Sequence, residues 1–152
     1  MNGVTQISVT EDVSLITFIK VPNDLKIISG IFDAVSEAGI NIDMVSQTAP
    51  QGQHVNFSFT VGNDDTIKVL SLANSLKIKP MVSTGNCKVQ LYGEEMPQMH
   101  GVFAKVISSV STTDAELLLI TTSEVDISLL VSSALVHEVV DALERDFLVT
   151  AE

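Results

Sequence analysis

The chain is poor in positive charge. Only 8 of its 152 residues are Lys or Arg, against 19 Asp and Glu, which leaves a formal net charge of −11. So few cations make no basic face that would neutralise a phosphate backbone or an anionic membrane, so neither nucleic acid nor a membrane surface is an expected partner. Cysteine is almost absent. Cys87, the single one, excludes an internal disulfide, and its place in an apolar-alternating segment reads as a small buried thiol. No apolar run approaches the roughly 20 residues that cross a bilayer. The opening Met1-Asn-Gly-Val-Thr has neither a basic nor an apolar leader region, so a soluble, cytoplasmic protein is expected.

Catalytic signatures are missing too. No Gly-rich phosphate loop occurs, so a kinase site does not assemble from this chain. His54, His100 and His137 lie far apart, with no Cys or second His at ligand spacing, and no metal or cofactor is expected. Serines and threonines are frequent but lack a nearby His and acid in a nucleophile elbow. A phosphatase of the acylphosphatase type would need an arginine in a loop, and Arg145 falls near the end of the last helix. No catalytic residue is assigned.

What is present is apolar and periodic. Hydrophobic residues make up 45% of the chain and mean hydropathy is +0.36, enough for a core in one domain or in two small ones. The pattern occurs twice. A β-rich run from Val13, a helical stripe of Ile27, Ile28, Ile31, Phe32 and Val35, and the segment Asn41-Ile-Asp-Met-Val-Ser-Gln return about 75 residues later as the run from Lys88, the stripe Val102, Phe103, Val106, Ile107 and Val110, and Glu116-Leu-Leu-Leu-Ile-Thr-Thr.

The elements follow from local chemistry. Val4 to Thr10 and Ser14 to Val21 read as strands separated by a turn at Glu11-Asp-Val. Asn23 or Asp24 caps a helix that Gly39 ends. Asn41 to Thr48 and Val55 to Val61 read as an antiparallel pair with Val55, Phe57 and Phe59 on one face. A helix with Ile67, Leu70, Ala73 and Leu76 inward precedes Pro80. The second half repeats this with a strand at Lys88 to Tyr92, a helix over Met99 to Ser111, strands at Glu116 to Thr122 and Val125 to Val131, and a helix over Ser133 to Asp146. A short closing strand is expected at Met81-Val-Ser or Phe147-Leu-Val. The class is α+β: two ferredoxin-like βαββαβ units, antiparallel sheets with helices on one face. Residues 13–84 form the first, and 3–10 with 86–150 the second, the leading strand pairing with a sheet that lacks an edge.

At Asn41-Ile-Asp-Met-Val-Ser-Gln and Ile120-Thr-Thr-Ser-Glu-Val the chain resembles the tandem ACT regulatory region of aspartokinases, and the likeness extends over nearly its whole length. Glu37 to Val45 resembles the end of the first ACT helix and its second strand, Thr122 to Val131 the Thr-Ser-Glu strand pair of the second unit, and Val139 to Leu148 its closing helix. The resemblance implies feedback control of an aspartate-phosphorylating kinase by lysine, threonine or both. The kinase domain is not in this chain, so its implied partner is an aspartokinase catalytic domain or subunit.

In that family the effector lies against the loop between the first strand and first helix, where free N–H groups favour a carboxylate. The resemblance implies contacts from Asn23, Asp24, Lys26 and Ile27, with Asn41, Ile42, Asp43 and Gln47 on the neighbouring strand and Asp43 facing the ammonium. In the second unit it implies Met99, His100, Gly101 and Val102 in the loop, with Ser123 and Glu124 opposite. Two departures stand out: Lys26 replaces a glycine of the family's Asp-x-Pro-Gly loop, and Leu118 replaces a polar residue. Each unit keeps one half of the motif, so a working site would be composite. The plainer reading makes Asn41 and Asp43 turn and edge residues, Ser123-Glu124 a hairpin turn and Gly101 a loop glycine. Either way a homodimer is expected, because Leu117 to Ile120 and Ile127 to Val131 carry more apolar surface than one helix layer covers. The alternative function is a ligand-free assembly module.

Overall fold

The computed structural model describes residues 2–152. Their elements run β1 (Gln6–Pro22), α1 (Leu25–Glu37), β2 (Val45–Gln47), β3 (His54–Gly62), α2 (Thr66–Ser75), β4 (Lys79–Tyr92), α3 (Val102–Val110), β5 (Leu119–Thr122), β6 (Asp126–Ser132) and α4 (Val136–Phe147). They divide into two compact units, Asp12–Thr84 and the chain up to Glu11 together with Gly85–Glu152.

The unit Asp12–Thr84 orders its strands β2-β3-β1-β4. β1 and β3 are antiparallel, with Ile16 opposite Phe59 and Phe18 opposite Phe57, and β2 adds to the far side of β3. Alternation places Ile16, Phe18, Val55, Phe57 and Phe59 on the face that α1 covers with Ile28, Ile31 and Val35. Phe18 meets Phe59 edge to face at 5.1 Å between ring centroids, and Phe32 meets Phe57 at 5.4 Å. A bulge between Phe18 and Val21 carries Lys20 at φ 55°, its N–H donating to Asn56 Oδ1 at 3.0 Å.

The second unit has the order β1-β4-β6-β5. Thr5 N–H donates to the Tyr92 carbonyl at 2.8 Å, and Val4 and Ile7 are buried with Val89, Leu91, Leu129 and Phe147. α3 and α4 cover this core with Val102, Val106 and Val110, and with Val136, Val139 and Leu143. Cys87 is buried here.

Several elements differ from the sequence reading. No turn divides β1: Asp12 takes φ 59° and the strand continues through Glu11-Asp-Val. Asn41 to Met44 is irregular, and β2 is only three residues long. α2 turns Thr66, Val69 and Ala73 inward, leaving Ile67 77% exposed. The rotation is fixed by the Thr66 hydroxyl, which donates to Ser14 Oγ at 2.8 Å inside the core. Met81 to Ser83 belongs to the long β4, whereas Phe147 ends α4 and Leu148 leaves it at φ 57°. No helix among the described residues is long and apolar enough to cross a membrane.

Candidate functional site

In the second unit the strand ladder brings a loop and a hairpin to one end. Tyr92 stands opposite Asp126, and Gly93 N–H donates to the Val125 carbonyl at 2.8 Å, so the chain leaving β4 runs beside the β5–β6 turn. That chain forms a single 3-10 turn over Met96–Gln98 and reaches Gly101, whose φ of 83° is a left-handed conformation that a side chain would strain. Gly101 precedes α3, and no side chain caps that helix. Its first-turn N–H groups therefore have no side-chain acceptor, with the positive end of the helix dipole behind them.

The result is a cleft of about 510 Å³ lined by Met99, His100, Gly101 and Val102 from the loop, and by Ser123 and Glu124 from the hairpin. All six second-unit residues singled out in the sequence thus meet at one place. Met96, Phe103, Thr122 and Ile127 complete the lining. These four were not singled out, although the inward alternation of Ile127 and the helical step from Val102 to Phe103 were available signals. Ser123 is already engaged: its hydroxyl donates to Asp126 Oδ1 at 2.8 Å and accepts the Val125 and Asp126 N–H groups. Glu124 is the exposed carboxylate of the lining. At the foot of the loop Tyr92 donates to Glu94 Oε1 at 3.2 Å, and its phenol is pushed up by loss of solvation and by the Glu94 carboxylate. Leu118 stays out of the cleft, its N–H bound to the Leu130 carbonyl further along β6.

The first unit arranges its residues differently. Asp24 caps α1, its Oδ1 accepting the Lys26 N–H at 2.9 Å, and Asn23 N–H donates to the Gln53 carbonyl at 2.8 Å. The chain's own carboxylate thus holds the place where the family resemblance puts an effector's carboxylate. Asp43 N–H donates to the Thr60 carbonyl, and Thr60 is opposite Leu15. Pro22 lies seven residues further along β1, a separation of roughly 20 Å. Asn41, Ile42 and Asp43 therefore lie at the end of the unit away from Asn23 and Asp24, and within one copy of the unit they do not face a common amino acid. Gln47, opposite Phe57 and so level with Phe18, lies nearer the loop. Lys26 and Ile27 line a separate cleft.

Three kinds of likeness bear on this arrangement. A model of the ACT domain matches residues 22–75 and 89–147. An aspartokinase of Bacillus sp. (strain MGA3) is 28% identical over 142 residues, 90% of this chain and 34% of that protein. The chain spans about a third of the length of the curated relatives it matches. Among solved structures, the ligand-free regulatory subunit of aspartate kinase from Thermus thermophilus superposes with a TM-score of 0.86 at 27% identity, covering 95% of this chain and 99% of that one. Escherichia coli aspartokinase III in complex with lysine and aspartate (T-state) is alike in fold, with a TM-score of 0.74 at 19% identity, covering 94% of this chain and 33% of that one.

Proposed function

The chain belongs to the ACT domain family, and from that premise we propose that it is the amino-acid-sensing regulatory part of an aspartokinase, binding lysine or threonine and passing the signal to a separate catalytic domain or subunit. The observation that carries this reading is the second-unit cleft. An uncapped helix start at Gly101 supplies free N–H groups for an α-carboxylate, and Glu124 supplies the counter-charge for an ammonium. The regulatory likeness to the Thermus subunit supports the assignment, and the lysine complex of the Escherichia coli enzyme supports the ligand class.

The domain bounds that go with this reading are 13–84 for one ACT unit and 3–10 with 86–150 for the other. The first-unit residues Asn41, Ile42, Asp43 and Gln47 face Asn23 and Asp24 only where two copies of the chain meet, and because Asp24 caps α1 itself, sensing is assigned to the second-unit cleft, with the homodimer as the form that acts. The chain performs no catalysis itself. Binding regulates because it favours one packing of the units over another, and the shift is limited by the difference in affinity between the two.

Calorimetric titration of the chain with lysine and with threonine tests the reading. Saturable heat with one of them, lost in Glu124→Gln and retained in Glu138→Gln on α4, is the expected result. A folded dimer that gives no heat with either amino acid replaces it with a ligand-free assembly module, a reading favoured by the self-capping of α1.

A further inference from the structure

The first unit contains the larger cleft, about 930 Å³, between the end of β1, the start of α1 and the chain joining α2 to β4. Its charge is opposite to that of the molecule. Lys20, Lys26, Lys77 and Lys79 all line it, four of only eight basic residues in a chain with 19 acidic ones, and no Asp or Glu is among the lining. Among the described residues none of these four ammonium groups has an ion-pair partner within 4.0 Å. Like charges gathered without counter-ions repel one another, and the dispersed alternative was open to a chain with so few of them.

The backbone adds to that cost. Lys20 and Lys77 have φ of 55° and 58°, a region that glycine or asparagine enters with less strain than lysine. Gly30 sits inside α1, where glycine weakens a helix, and a side chain there would meet nothing within 4 Å. The glycine is not explained by crowding; its effect is to leave the cleft wall open. The floor is apolar, formed by Ile19, Val21, Ile31 and Ile78.

We propose that this cleft binds a small organic polyanion: phosphate, sulfonate or carboxylate groups met by the four lysines, and an apolar body seated on the isoleucine floor beside Gly30. The site is separate from the amino-acid cleft of the second unit. A lysine or threonine effector is excluded by the same chemistry, because its ammonium would face four others with no carboxylate to pair with.

Anilinonaphthalene sulfonate, an anion on an apolar body, is the probe, with uncharged phenylnaphthylamine beside it. Fluorescence titration of the full chain saturates with the sulfonate, and Lys77→Asn combined with Lys79→Gln weakens it about tenfold, the loss of two charge-assisted contacts. Asn at position 77 accepts the left-handed backbone, so this variant folds. Gly30→Leu fills the cleft and blocks the sulfonate while leaving the fold at least as stable, and Lys68→Gln, outside the cleft, leaves affinity within about twofold. Phenylnaphthylamine does not distinguish the wild type from the double variant. Equal sulfonate affinity in wild type and double variant, retained binding in Gly30→Leu, or no saturable binding at all overturns the proposal. None of these outcomes depends on whether lysine or threonine binds the second unit.

Discussion

Asp24 closes the first turn of α1 by accepting the Lys26 N–H on its own carboxylate at 2.9 Å. The bond satisfies one of the donors that a helix start leaves free, and the negative charge suits the positive end of the dipole. Asp24→Ala is expected to lower the stability of the first unit by about 1 kcal/mol in urea denaturation, and Asp24→Asn by less, since asparagine caps nearly as well.

Gly101 and Gly39 form a matched pair. Both have left-handed backbones, φ 83° and 75°, and a Cβ at either would meet nothing within 4 Å. Alanine at each position is expected to cost about 1 kcal/mol through backbone strain alone. Only Gly101→Ala should also weaken amino-acid binding, because it alone adjoins the second-unit cleft. Paired urea and calorimetric titrations separate the two effects.

Ser14 is fully buried and links two elements, donating to Asn63 Oδ1 at 2.7 Å while accepting from the Thr66 hydroxyl at 2.8 Å. Ser14→Ala leaves the buried Thr66 hydroxyl without its acceptor and the half-buried Asn63 without its donor, at an expected cost of about 1–3 kcal/mol. Thr66→Val in the same background should recover part of that loss, since an unsatisfied hydroxyl is removed with it. A double-mutant cycle measures the recovery.

Arg145 donates through Nε to Asp146 Oδ1 at 3.1 Å and holds that carboxyl below its ordinary range. A carboxyl depressed in the folded chain adds stability above the pH at which it ionises in the unfolded chain, and that support disappears as pH falls through the folded value. Arg145→Gln is therefore expected to show a small stability deficit near neutral pH that shrinks below about pH 4, the range of an unfolded aspartate. Arg145 is exposed and Asp146 partly so, which keeps the deficit small, and salt reduces it further. Urea midpoints on both sides of that pH measure it.

Much of the architecture was legible because alternation and helical spacing are strong in β3, α1 and α4. Phe57 and Phe59 announce their shared face, and Val136, Val139 and Leu143 announce theirs. α2 was misread because Ile67 and Leu70 form an apolar stripe as good as the true one, and the choice between stripes is made by the Thr66–Ser14 hydrogen bond across 52 residues. The turn expected at Glu11-Asp-Val failed for a local reason: Asp12 adopts the left-handed conformation inside a strand, which residue type alone does not disclose. The six second-unit residues singled out in the sequence line one cleft because the ladder that sets Tyr92 opposite Asp126 also aligns the loop with the hairpin. The first-unit set was not gathered, because α1, 13 residues long, carries the chain from Asp24 to the far end before Asn41 is reached.

The most direct measurement is amide chemical-shift mapping of the chain with saturating lysine and, separately, threonine. The account predicts shifts concentrated at Gly101, Val102, Phe103, Ser123 and Glu124 for one of the two amino acids, with the residues lining the lysine-rimmed cleft undisturbed. Unchanged spectra with both amino acids, or shifts that avoid the Gly101 loop and the Ser123–Glu124 hairpin, would contradict it.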